Sequence, residues 1–92
     1  MTLQNNIKEA LTKYFEDALN NKMSLLDDYL KYEPNMIHVQ NRIKAARYEL
    51  FGYIECLDDL DVFQEAELDA MFEKVKDEIY PRQKALEERV SR

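Results

Sequence analysis

The sequence predicts an all-α protein, a small antiparallel three-helix bundle, on three observations. The first is a heptad: Met36, Val39, Ile43, Ala46, Leu50, Tyr53 and Leu57 alternate spacings of three and four without a miss, which is the seam of an amphipathic helix. The second is composition. One Gly and two Pro in 92 residues are too few for the turns of an all-β chain, while Leu, Ala, Glu, Lys, Gln and Met favour helices. The third is a single clear break at Glu33-Pro34-Asn35, because proline disfavours helical geometry in the residue before it.

Helix one is expected over about 3–32, starting after Thr2 or Asn5. Its stripe is Leu3, Ile7, Leu11, Tyr14 and Ala18, widened by Phe15 and Leu19. Asn20-Asn21-Lys22 is a soft spot, and Ser24 with Asp27 resembles a capping box. Met23, Leu26 and Leu30 nonetheless keep the helical spacing, so a continuous or mildly kinked helix is preferred.

Helix two is expected over about 35–57, with Pro34 suited to its first turn. Asp58-Asp59-Leu60-Asp61 forms a connector in which Asp61 can cap the next helix. Helix three is expected over about 62–80. Leu68, Phe72, Val75 and Ile79 form its stripe, with Ala66 and Met71 at the edges. Pro81 interrupts the pattern, yet Leu86 and Val90 keep its phase, which implies a kinked extension to about 90 or a restart. No repeat, linker or low-complexity tract divides the chain, so residues 1–92 read as one domain.

Size and charge narrow the function. A chain this short buries only about 60–65% of its unfolded surface, so a second subunit is a reasonable source of stability. A net charge of −6 disfavours non-specific binding to nucleic acid or anionic membrane. A single Cys rules out an internal disulfide and fits a reducing compartment. With no basic leader and no apolar run of spanning length, a cytoplasmic protein without membrane contact is expected.

Chemical motifs are scarce. There is no P-loop, G-x-S-x-G or H-E-x-x-H. His38, the one histidine, has no acid three residues before it, so di-iron bundle chemistry lacks its motif; it reads as a surface or boundary residue. Glu55 and Asp58 make one carboxylate pair at helical spacing, without the second pair a magnesium-dependent hydrolase needs. Asp59 and Asp61 begin like a calcium loop, but Val62 and Phe63 intrude and no Gly follows. No enzyme activity, cofactor or metal is expected, and Cys56 beside the seam reads as a small buried hydrophobe.

Two surfaces can carry an interaction. Tyr48 and Phe51 lie off the seam, and with Ile54 and Ala45 they make helix two apolar over much of its circumference. Gly52, the only glycine, sits mid-helix, where close approach of another backbone would explain it. Aromatics favour interface cores, so Tyr48, Phe51 and Gly52 are a candidate apolar interface, though a central helix touching both neighbours would also account for the aromatics. The second surface is acidic: Asp58, Asp59, Asp61, Glu65, Glu67, Asp69 and Glu73, seven acids with no Lys or Arg between them. Acids beside a helix N-terminus are favourable in themselves; as a function, the run would meet a basic partner or mimic nucleic-acid phosphates.

Three readings follow in order. The first is a non-enzymatic helical module or small regulator that binds another protein, acting as a homodimer. The second is an acidic inhibitor or nucleic-acid mimic of phage or plasmid type that blocks a nucleic-acid-binding protein. The third is a small DNA-binding regulator that uses the stretch from Gln40 through Asn41, Arg42 and Lys44 to Arg47, reaching phosphates and base edges.

Overall fold

A computed structural model describes residues 3–91, except for the side chain of residue 4. Three helices follow one another: α1 (Leu3–Tyr32), α2 (Met36–Asp59) and α3 (Glu65–Val90). Each packs on the other two. The chain runs up, down and up, so α2 is antiparallel to both neighbours and α1 lies parallel to α3. Ion pairs mark that parallel register: Lys8–Glu67 at 2.6 Å, Glu16–Lys74 at 3.9 Å and Asp27–Arg82 at 3.0 Å. The result is a rod 53 Å long.

The expected bundle is therefore present, and its boundaries have local causes. α1 is continuous through Asn20–Ser24, and Thr2, one proposed starting point, lies outside the described residues. Asn35 caps α2: its Oδ1 accepts from the main-chain N–H groups of Ile37 at 3.1 Å and His38 at 3.2 Å, two donors the helix cannot satisfy itself.

The start of α3 differs from the sequence expectation. The helix begins at Glu65, not Val62, and Asp61 does not cap it. Asp61 instead takes the left-handed conformation, φ 61°, which Asp tolerates better than most residues. Val62 and Phe63, which resemble the first turn of a helix, are irregular, and Phe63 is buried as a plug over that end of the core. Gln64 is the N-cap, and its N–H donates to the Glu67 carboxylate at 2.9 Å. At the other end, α3 continues through Pro81 without a break.

The core is wholly apolar among the described residues. The α2 seam is buried at Val39, Ile43, Ala46, Leu50 and Leu57, with Met36 and Tyr53 at its margins. Ile54 joins it, fully buried. α3 contributes Leu68, Met71, Val75, Ile79 and Leu86. Burying one such side chain contributes about 1.5–3 kcal/mol before entropy is counted.

On α1 the bundle centres on the residues that widen and continue the expected stripe, with Leu11 and Ala18 packed at its edge. Phe15, Leu19, Met23 and Leu26 are buried, while Leu3, Ile7, Tyr14, Leu25 and Tyr32 remain exposed. Cys56 is also exposed rather than buried. It lies on the side of α2 turned away from the seam, so its position on the helix outweighs its apolar character.

Candidate functional site

The residues of the expected apolar interface on α2 have separate surroundings. Phe51 is half-buried and turns towards α3, its ring 5.3 Å from that of Phe72. Tyr48 is exposed, with the Arg47 guanidinium over its ring at 5.6 Å. Gly52 shares that solvent face, and a Cβ there would meet nothing within 4 Å. No backbone of this chain approaches it.

The acidic residues are brought together at one pole. The α2–α3 turn folds Glu55 and Asp58 of α2 against Glu65 and Asp69 of α3, with Asp61 between them, around a shallow groove floored by Phe63, Leu68 and Phe72. Asp59 is exposed on the same end, as is the apolar Leu60. Among the described residues no cation pairs with Asp58, Asp59, Asp61, Glu65 or Asp69. Glu73 pairs with Lys76 at 3.3 Å.

Glu67 stands apart from this cluster. It faces α1, where its carboxylate holds Lys8 and the Gln64 N–H. Those partners keep its carboxyl below the usual range, the Lys8 hydrogen bond contributing most. Its role is structural: it closes the first turn of α3 and ties it to α1.

The charge of the rod is therefore uneven. Residues 3–17 and 51–75 form the half that holds the α2–α3 turn, with three cations against eleven acids. Residues 18–50 and 76–91 form the other half, with nine cations against eight acids.

The basic stretch of α2 does not form one free row. Arg42 lies back over the Tyr29 ring at 5.3 Å. His38, at the boundary of the bundle, meets the same ring edge-on at 5.6 Å. Lys44, Gln40 and Asn41 are exposed, and Arg47 is half-buried.

The outer face of α1 leaves Leu3, Ile7 and Tyr14 of the expected stripe exposed, together with Leu25. Tyr14, Ala18, Asn21 and Leu25 line a shallow depression with Asp17 and Lys22. Tyr14 also reaches α2, 5.4 Å from the ring of Tyr53. Tyr53 donates to the Leu11 carbonyl at 3.3 Å, and partial burial raises its phenol above the ordinary range, with a further contribution from Tyr14.

No three His, Cys, Asp or Glu side chains among the described residues converge to hold a metal ion. No described helix is long and apolar enough to cross a membrane. Comparison with protein-family models, curated proteins and solved structures gave no match to this chain.

Proposed function

We propose that this protein is a non-enzymatic, cytoplasmic interaction module that acts as a homodimer and binds another protein. One observation carries this reading: the bundle closes a complete apolar core and still leaves Leu3, Ile7, Tyr14, Leu25 and Tyr32 exposed along one face of α1. Scattered apolar residues are ordinary on a surface, but a contiguous patch of large ones marks an interaction site. Sedimentation equilibrium of the full chain at micromolar concentration tests the dimer, and a monomer throughout would overturn it. Capture from native lysate with mass spectrometry then identifies the partner protein.

The charge asymmetry favours a second reading, an acidic inhibitor that docks on a basic, nucleic-acid-binding surface. The unpaired carboxylates of Asp58, Asp61, Glu65 and Asp69 ring one groove rather than forming a phosphate-like row, so the reading is general charge complementarity, not strict mimicry. Such an association is salt-sensitive, because ions screen exposed charges beyond about 8–10 Å. Reversing Asp58, Glu65 and Asp69 to Lys should abolish binding to the captured partner while the helical circular dichroism stays intact. Glu67 is left out of that set because it holds the fold. Unchanged partner binding would reduce these acids to solubility and helix-end electrostatics.

The third reading, DNA recognition by Gln40 and Arg47 and the residues between them, gains no supporting observation from the way Arg42 is drawn back onto Tyr29.

A further inference from the structure

The exposed stripe of α1 has the pattern of a helix–helix seam. Ile7, Leu11, Tyr14, Ala18, Asn21, Leu25, Asp28 and Tyr32 alternate spacings of four and three, the repeat by which one helix packs along another. The bundle engages only the inner edge of it, where Leu11 and Ala18 pack against the core and the Tyr14 ring lies 5.4 Å from that of Tyr53, and centres instead on Phe15, Leu19, Met23 and Leu26, one helix face away. α1 thus carries two adjoining faces rich in apolar residues, and the bundle consumes one and the edge of the other.

The unpartnered face is large. Leu3, Ile7, Tyr14, Leu25 and Tyr32 are exposed by 75, 43, 62, 58 and 70%. At roughly 200 Å² for a large side chain, these amount to about 600 Å² per copy, at the top of the range for a monomer's largest patch and near the about 800 Å² per partner of a standard interface.

We infer that this face binds the same face of a second copy, with the two α1 helices antiparallel across a two-fold axis at Ala18. The inference rests on the homodimer reading above and names its surface. Self-complementarity is the first argument. Reversal about Ala18 sets Leu11 opposite Leu25 and, to within one residue, Tyr14 opposite Asn21, Leu3 opposite Tyr32 and Ile7 opposite Asp28. The small side chain of Ala18 sits where the helices come closest. The depression between Tyr14 and Leu25 receives the second copy's Tyr14.

Charge complementarity is the second argument and fixes the direction. The half of the rod with three cations against eleven acids would lie beside its twin in a parallel pair. In the antiparallel pair it lies beside the half with nine cations against eight acids. The two acidic poles then stand at opposite ends of the assembly, each free for a basic partner.

The test uses the full chain with Cys56→Ser, which removes the exposed native thiol. Leu11→Cys and Leu25→Cys variants are prepared separately, mixed, and oxidised gently. The mixed disulfide should dominate over either homodisulfide. In parallel, Leu25→Glu should reduce the mass in sedimentation equilibrium from twice 11.0 kDa to the monomer, while Tyr48→Glu leaves it unchanged. Leu25 is exposed, so helical circular dichroism should survive its substitution. A dimer that resists Leu25→Glu but dissociates with Tyr48→Glu would overturn the α1 seam and keep the homodimer. Dominant Leu25 homodisulfides would overturn the antiparallel direction. A parent chain that stays monomeric would overturn both the seam and the homodimer.

Discussion

The guanidinium of Arg89, in the last turn of α3, donates to the main-chain carbonyl of Leu30 in α1 at 3.2 Å and also to that of Glu33. The last carbonyls of a helix have no partner within it. Here the planar fork of one arginine supplies donors to the end of α1 and pins it to α3 at the pole opposite the acidic turn. Arg89→Ala should destabilise the bundle by about 1.5–3 kcal/mol, the range for hydrogen bonds from a charged group, measured by urea denaturation. Arg89→Lys should recover only part of this, since a single ammonium lacks the fork geometry.

Glu67 gives the fold a pH dependence of known sign. Its carboxyl is held below the ordinary range by Lys8 and the Gln64 N–H. The stability it contributes is fully present above the unfolded carboxylate pKa and is lost as pH falls through the lower folded value. Glu67→Gln should therefore melt below the parent at pH 7. The difference should shrink as pH falls from about 5 to below 4, the range where carboxylates titrate. A constant difference across that range would remove the ionic part of this account.

Much of this architecture is legible in the residues, and the misreadings share one cause. The α2 seam is unambiguous because its heptad is unbroken and only one apolar stripe extends its full length. α1 carries two stripes about one residue apart, Leu3-Ile7-Tyr14-Leu25 and Phe15-Leu19-Met23-Leu26, and local pattern alone cannot decide which faces inward. That decision lies in the packing of α2 and α3. The start of α3 is obscured because Val62 and Phe63 are apolar without being helical. A better signal was present: Glu67 stands three residues after Gln64, the spacing of a capping box, but Gln is not among the strong N-cap residues. On α2, Phe51 follows from the periodicity only as an off-seam aromatic; its contact with Phe72 depends on where α3 lies.

Pro81 is a stability cost that the bundle absorbs. It lies inside an unbroken helix, exposed to solvent, where it removes the N–H that would reach the Asp77 carbonyl and its ring crowds that turn. Neighbouring contacts hold the segment: Arg82 donates to the Glu78 carbonyl at 2.7 Å and to Asp27 of α1 at 3.0 Å. Pro81→Ala should stabilise the protein by about 1–3 kcal/mol, given the low helix propensity of proline. Denaturant unfolding reads the change. A loss of stability would mean that the backbone set by Pro81 is needed to seat Ile79 and Leu86.

Gly52 separates the two surfaces proposed for self-association. It occupies the solvent face of α2, its backbone lies outside the positive-φ region, and a Cβ would touch nothing. A mid-helix glycine costs roughly 0.5–1 kcal/mol relative to alanine. Gly52→Ala should therefore raise the folding stability by that amount, as read from the denaturant midpoint at low protein concentration. Its effect on association depends on which face is covered. With α1 as the seam, the dimer dissociation constant should be unchanged, because Gly52 faces solvent in both species. With the Tyr48 face of α2 as the seam, the added methyl would meet the approaching helix and weaken the dimer. A variant that folds more tightly and dimerises less would thus assign Gly52 to close backbone approach and return the interface to α2.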